Sequence, residues 1–521
     1  MSGHEFKNIG ELLESQARRY VGKEFLVSAH DGGGLSYREF DREVDLAAAL
    51  LLRLGVTKGS VVSLFLPNCA EYLIFYFACF RTGAWAGPVN ALLKPHEVEF
   101  IVNDSQASVV VTQTDLYPVV EAARASMPSV GAVVLIDGAG AGPVDDPGDE
   151  TVVRYTRARG EAAPPPRLAG ADVSRDDEAV IIYTSGTTGK PKGVLLTHGN
   201  LLSNARQIAE WLSLGEGDRS LMVMPLFHVN ALMTTGLAAL QAGGSIVLAR
   251  RFSASRHWDI ISEHGVTYFG SVATMLSLLN QTYPGGVPEG LDVSRLRFAL
   301  CGSAPVPVEV IKTFESLFHC PVVEGYGLSE STCRSTFNPP DERRRAGSVG
   351  LPIGNEVKVF DDDDRELGPR EVGEIVLRGP NVMKGYFRNE PATREAFRSG
   401  WFHTGDLGYA DEDGFFYVVD RKSDMIIRGG ENIYPREIDE VLYQHPKVKD
   451  AATVGVADPL YGEEVKSYVV LRPGERATEE ELLDFCRERL ADFKCPRSVE
   501  FLEEIPKGPT GKLLKRMLAG D

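Results

Sequence analysis

The 521-residue sequence predicts an α/β protein of more than one domain. Three observations predict it. Single hydrophobic cores rarely grow beyond about 250–300 residues, so a chain of this length needs several. Short continuous apolar runs at residues 61–66, 109–112, 132–136 and 179–183 read as buried strands, with helical stretches between them, the pattern of a parallel sheet packed under helices. From about Gly347 the chain turns to short strands and turns, which predicts an antiparallel β unit, and past Asp420 about 100 residues bring strands and helices of their own.

The elements follow in order. Residues 8–20 form an amphipathic helix with Ile9, Leu12, Leu13 and Ala17 on one stripe. Residues 37–54 form a second helix, ended by Gly55. The strand at 61–66 passes through a Pro67-Asn68 turn into a helix at 71–81, and strands follow at 109–112 and 132–136. Residues 138–148 and 161–172 are rich in Gly, Pro, Ala and Asp and read as surface loops, because strand and helix signals resume at once. Beyond the strand at 179–183 come a helix at 200–214, a helical apolar run up to Leu240, and a strand at 245–249 ended by Arg250 and Arg251. Strands at 297–301 and from Val322 run into polar loops. The β unit has strands at 357–360, 373–378 and 414–419. A boundary at 420–423 divides the chain into residues 1–420 and 421–521, and no internal repeat is visible.

Composition excludes several functions. With 55 Lys and Arg against 73 Asp and Glu, the net charge of −18 argues against a nucleic-acid binder and against docking on anionic lipid. Cys69, Cys79, Cys301, Cys320, Cys333, Cys486 and Cys495 are scattered without metal spacing, which suits a reducing compartment. The first residues lack the apolar core of a signal peptide, and the most apolar run, residues 72–80, is far short of the roughly 20 residues of a membrane span. These features predict a cytoplasmic enzyme.

The chemistry centres on residues 183–194, Tyr-Thr-Ser-Gly-Thr-Thr-Gly-Lys-Pro-Lys-Gly-Val. The hydroxyls of Thr184, Ser185, Thr187 and Thr188 sit among Gly186, Gly189 and Gly193, where backbone N–H groups can form an anion-binding nest. Lys190 and Lys192 add positive charge. This is not the P-loop of the common NTPases, because Pro191 stands where that motif needs its second glycine. The stretch resembles the phosphate loop of the AMP-forming adenylating enzymes, the superfamily of acyl-CoA synthetases, nonribosomal adenylation domains and firefly-type luciferases.

Five more blocks resemble that family in its order and spacing. Gly302-Ser303-Ala304-Pro305 is similar to the adenine-side loop. Glu324-Gly325-Tyr326-Gly-Leu-Ser329-Glu330 resembles the Tyr-Gly-x-Thr-Glu block with Ser329 for Thr, and implies Tyr326 stacked on adenine and Glu330, with Thr187, as Mg²⁺ ligands. Gly400-Trp-Phe-His-Thr-Gly-Asp406 resembles the ribose block, with Asp406 on the ribose hydroxyls and Arg421 matching the arginine on the ribose and phosphate side. Gly429 and Gly430 resemble the loop lining a coenzyme A tunnel, and Lys512, in Pro-Thr-Gly-Lys, matches the adenylation lysine. His228 matches a position beside the reacting carboxylate. The family hinge falls on Ser423, where Asp or Lys is usual; a small residue can still absorb a backbone rotation.

The resemblance implies a large N-terminal domain of two α/β subdomains and a small β-barrel-like unit, followed by a small mobile α+β C-terminal domain. It implies ATP, Mg²⁺ and coenzyme A, and activation of a carboxylic acid to acyl-AMP before transfer to a thiol. The acyl pocket should draw on Phe227, Asn230, Ser271, Ala273, Gly302 and Gly325. The small residues Gly270, Ser271 and Ala273 suggest a roomy apolar pocket for a medium or long aliphatic or bulky cyclic acid; Arg334 reads as a solvated arginine, with pairing to the second carboxylate of a dicarboxylic acid as the lesser alternative. Delivery to an acyl carrier protein, a luciferase-like oxygenase and an inactive nucleotide-binding scaffold stay open as alternatives, as does a homodimer.

Overall fold

The protein is seen in a computed structural model that describes residues 5–30, 32–138, 150–156, 172–184, 191–302, 306–428, 430–507 and 513–518. The two loops expected at 138–148 and 161–172 fall almost wholly outside the described residues.

Two large sheets form the bulk of the molecule. Across the first, of eight strands among the described residues, the order is Gly385–Tyr386, Lys192–Thr197, Glu178–Thr184, Trp85–Val89, Val61–Phe65, Val109–Gln113, Ala132–Ile136 and Val152–Arg154. All strands from Glu178–Thr184 to Val152–Arg154 run parallel, and the two before them are antiparallel. The second sheet, of nine, reads Leu351–Pro352, Thr336–Phe337, Val322–Tyr326, Phe298–Gly302, Tyr268–Ser271, Arg219–Met222, Ser245–Leu248, Glu24–Ser28 and Gly34–Ser36. Its strands from Val322–Tyr326 to Glu24–Ser28 are parallel.

One core spans both sheets. Its centre is the helix Ala70–Thr82, in which every residue from Tyr72 to Phe80 is buried. A helix that is apolar all round must be enclosed. The two tyrosines keep their hydroxyls satisfied: Tyr72 donates to the Leu64 carbonyl at 3.1 Å and Tyr76 to the Leu226 carbonyl at 3.0 Å. Among the described residues no helix is long and apolar enough to cross a membrane.

The antiparallel unit is a four-stranded sheet, Glu356–Phe360, Gly373–Arg378, Phe402–Ala410 and Phe416–Arg421. Its last strand begins later than expected because Gly414, at φ 82°, still belongs to the preceding turn. Residues 426–501 build a fourth sheet in which Gly462–Leu471 is flanked by Val448–Asp458 and Ser498–Phe501. The helices Pro435–Tyr443 and Glu479–Arg487 cover it around Ile433, Ile438, Leu442, Val465 and Leu482.

Two further expectations shift. The helix foreseen at 200–214 is His198–Trp211. Thr197 caps it, its hydroxyl accepting from the Asn200 N–H at 3.1 Å, and Ser213 at φ 49° prevents its continuation. The apolar run toward Leu240 starts as a π-helical stretch, Ala231–Leu237, before α-helix Ala238–Ala242. Thr234 and Thr235 donate to the carbonyls of Asn230 and Ala231 at 2.8 and 2.9 Å, side-chain bonds that compete with regular helix geometry.

Candidate active site

Ligands of open parallel sheets bind beyond the carboxyl ends of the strands. Here both sheets deliver strand ends to one cleft with a cavity volume of 1860 Å³. Thr184 ends a parallel strand of the first sheet, and Gly325 and Tyr326 end one of the second; all three line the cleft. Thr184 pairs with Lys192 across antiparallel strands, so Lys192 opens a strand instead of closing a loop. The Lys192 ammonium stands 5.1 Å from the Tyr386 ring centroid. Ser185, Gly186, Thr187, Thr188 and Gly189 lie outside the described residues, as do Ser303, Ala304, Gly429 and Lys512.

Opposite stands a cluster gathered from far-apart blocks. The Tyr326 hydroxyl donates to Asp406 Oδ2 at 2.7 Å, and Arg421 Nε lies 2.9 Å from Asp406 Oδ1. Asp406 and Arg421 face each other across neighbouring strands, so sheet register alone makes them partners. Thr404 orients the carboxylate's backbone: its hydroxyl accepts from the Asp406 N–H at 3.0 Å and donates to the Ile375 carbonyl at 2.7 Å. Burial raises the Tyr326 phenol well above its ordinary value, and the Asp406 carboxylate raises the Arg421 guanidinium.

Glu330 accepts from the Tyr386 hydroxyl at 3.1 Å, and desolvation lifts its carboxyl above the usual carboxylate range. Nothing in the sequence singled out Tyr386, and Thr404 stands in the ribose block without a role of its own. Glu324, in the cleft lining, is pushed up to about 8 by burial, and its Oε2 has no hydrogen-bond partner. No group of three or more metal-ligating side chains exists among the described residues. A hard cation with one or two protein carboxylates fits this donor set, because burial disfavours Glu330 as a bare anion and a cation relieves that cost.

His228 lines the cleft with its ring 4.3 Å from that of Phe227. Burial lowers it to about 4, so the imidazole is neutral at neutral pH, and its Nε2 is buried without a partner. Phe227, Asn230, Ala273, Gly325 and Ser329 line the cleft. Ser271 does not: its hydroxyl is turned into the sheet and donates to the Leu300 carbonyl at 2.8 Å. Gly302 stands behind the lining, where a Cβ would come within 2.6 Å of the Arg334 guanidinium. Arg334, read from sequence as solvated, is 2 % exposed; it follows a short helical turn that carries it inward.

The C-terminal segment closes one side. Arg436 donates through its backbone N–H to Asp420 Oδ2 at 3.0 Å and through its guanidinium to the Val418 carbonyl at 2.5 Å. Lys515 lies 3.9 Å from Asp420 and 3.6 Å from Asp439. Gly430, at φ 90°, sits exposed in the turn between the strands Ile426–Arg428 and Glu431–Ile433, and Ser423 lines the cleft where the chain passes between the two sheets.

The AMP-binding enzyme family model matches residues 13–387 and the model of the AMP-binding enzyme C-terminal domain matches residues 437–512. A sulfoacetate–CoA ligase of Cupriavidus necator is 37% identical over 519 residues, covering 98% of this chain and 97% of its own. A long-chain-fatty-acid–CoA ligase of Mycobacterium tuberculosis is 36% identical over 518 residues, with 98% of each covered. The crystal structure of ATP-bound MatB from Rhodopseudomonas palustris superposes with a TM-score of 0.89 at 29% identity, covering 98% of both chains. The blocks that line one cleft here are thus carried in a chain matched end to end by such ligases, and the protein belongs to the AMP-forming acyl-CoA synthetases of the adenylate-forming superfamily.

Proposed function

We propose that this cleft joins a carboxylic acid to ATP as acyl-AMP, releasing pyrophosphate, and then passes the acyl group to the thiol of coenzyme A, releasing AMP. The observation that supports it most is the meeting of Asp406, Tyr326, Arg421 and Glu330 with the paired strand ends Thr184 and Lys192 in one cleft. A free carboxylate is a poor acyl donor, because its leaving group would be oxide. Attack of its oxygen on the α-phosphorus converts that leaving group into AMP.

The residues divide the work. Asp406 accepts from the ribose hydroxyls, and Tyr326, held by its bond to Asp406, forms a flat wall for adenine. Thr184, Lys192 and the residues between them hold the phosphates. Mg²⁺ on Glu330 would neutralise phosphate charge. Lys512 adds a further cation as pyrophosphate separates. The described residues on either side of it, Lys507 and Leu513, line the cleft and pair in an antiparallel bridge. Neutral His228 can hydrogen-bond the reacting carboxylate without trapping it as a salt. For the thiol step we assign residues 421–521 to a domain that turns about Ser423, withdrawing Lys512 and bringing Gly429 and Gly430 to the acyl group.

The expected medium or long aliphatic or bulky cyclic acid would meet a cleft that is only partly apolar. Phe227 and Ala273 line it, and so do the buried polar side chains of Asn230 and Arg334. The relatives' names span sulfoacetate and long-chain fatty acids, so the acid has to be found by assay.

Pyrophosphate release is measured with ATP and Mg²⁺ over a panel of carboxylic acids, with and without coenzyme A. Release that requires an acid and turns over only with coenzyme A is expected. Lys512→Ala should lose pyrophosphate exchange by about 100-fold or more yet keep thioester formation from supplied acyl-AMP. Release that stops near one equivalent despite coenzyme A would identify a carrier protein as acceptor, and none with any acid would leave only nucleotide binding.

A further inference from the structure

We propose that Arg334 selects an acid that carries a second anionic group, a carboxylate or sulfonate, received by its guanidinium at the buried end of the acyl cleft. The inference rests on the acid-activating function proposed above and names its substrate class.

Arg334 is among the largest fully buried side chains of the protein, and it lines the cleft. Its contacts are poor for a buried cation. Nη1 donates to the Gly325 carbonyl at 3.0 Å, Nη2 reaches Asn230 Oδ1 at 3.4 Å, and Nε has no partner. The Phe337 ring centroid lies 5.2 Å from the guanidinium carbon. Among the described residues no carboxylate forms an ion pair with it, whereas Arg81, Arg345 and Arg421, all on buried or half-buried acids, each have one.

Glu324 is the nearby acid that could neutralise Arg334. Burial pushes the Glu324 carboxyl up to about 8 in spite of the Arg436 and Arg334 cations, so near neutral pH it is mostly protonated. Arg334 therefore holds an uncompensated charge out of water. Such a charge is costly, and a well-packed apolar side chain in its place is often more stable. The cost is offset if a ligand brings the missing anion. A purely aliphatic acyl chain would instead leave the guanidinium dry and unpaired.

The fork is also held ready. The Arg334 N–H donates to Asn204 Oδ1 at 3.1 Å, while its carbonyl accepts from Asn204 Nδ2 at 2.7 Å and Asn381 Nδ2 at 3.2 Å. Gly302 leaves the space that the guanidinium fills, since a Cβ there would meet Nη1 at 2.6 Å. A planar fork fixed in this way matches a carboxylate or sulfonate through paired charge-assisted hydrogen bonds.

The test uses the full-length protein and measures kcat/KM for coenzyme A thioester formation. Malonate, succinate, glutarate and 3-sulfopropionate are compared with propionate, butyrate, valerate and decanoate. The wild-type protein should prefer at least one doubly anionic acid over its singly charged counterpart by about 100-fold or more, since a site built for a polar group rejects the analogue lacking it. Arg334→Met should bring that ratio near one, mainly through KM, and Arg334→Lys should restore part of it; the KM for ATP, measured alongside, should stay within about threefold. The carboxylate and sulfonate arms tell which anion is taken. Equal or better use of butyrate or decanoate by the wild type overturns the inference, as does an equal fall for both kinds of acid in Arg334→Lys. Turnover of plain acids alone sinks this inference but leaves acid activation intact, whereas no pyrophosphate from any acid removes both.

Discussion

Glu324 shows what burial does to a single side chain. Its carboxyl titrates near 8, against an ordinary value of 4.5, because the charged form is desolvated. A carboxyl raised by folding contributes stability that is full below the unfolded value and lost as pH climbs through the folded one. Between pH 4.5 and 8 the wild-type protein should therefore lose roughly 4–5 kcal/mol relative to Glu324→Gln, which mimics the protonated form at every pH. Thermal melts of the two proteins across that range check this; parallel pH profiles would show that Glu324 is ionised in the fold. The residue was legible in the sequence as part of the Glu324–Glu330 block, but its ionisation was not, because it depends on burial in the fold and on charges as distant in sequence as Arg436 and Glu440.

At the scale of elements, one contact docks the antiparallel sheet on the nine-stranded one. The Val349 N–H donates to the Phe416 carbonyl and the Phe416 N–H to the Gly350 carbonyl, both at 2.9 Å, and the Ser348 hydroxyl adds a bond of 2.8 Å to the Phe416 carbonyl. Gly350 has φ 88°, and a Cβ on it would stand 1.9 Å from the Phe337 carbonyl carbon. No side chain fits there without moving backbone. Gly350→Ala should cost about 2–4 kcal/mol and raise the KM for ATP more than it lowers kcat, since the displaced sheet carries Asp406 and Arg421. Denaturant melts and steady-state kinetics measure both; an unaltered KM in a destabilised variant would mean that the sheet holds its place by other contacts. Apolar patterning revealed the long buried strands and the helix Ala70–Thr82. Short strands such as Tyr268–Ser271 and Arg219–Met222 escaped it, because four residues are too few to show a period.

At the scale of the molecule, polar contacts of Arg436 and Lys515 tie the C-terminal segment to the antiparallel sheet among the described residues. The two donated by Arg436, to Asp420 and to the Val418 carbonyl, are the shortest of those described above. Arg436→Ala should free the segment: trypsin should cut near Lys422 several-fold faster, with the balance between adenylate formation and thiol transfer shifted while the melting of residues up to 421 is unmoved. Unchanged cleavage would mean that the segment is fixed elsewhere, for instance by Lys515 between Asp420 and Asp439.

The sequence alone determined the reaction class and the strand-rich α/β frame. Phosphate nests, glycine turns and buried strands are local chemistry, written in consecutive residues. It also located Asp406, Tyr326, Arg421 and Glu330, because each lies in a compact block. Tertiary structure decided what those blocks do to one another: that Tyr326 and Arg421 share Asp406, that Ser271 turns away from the cleft, and that Arg334 is buried and not solvated. Burial and partner choice are set by chain segments that meet only after folding. The electrostatic cost of a charge, on which the proposed choice of acid rests, arises at that level.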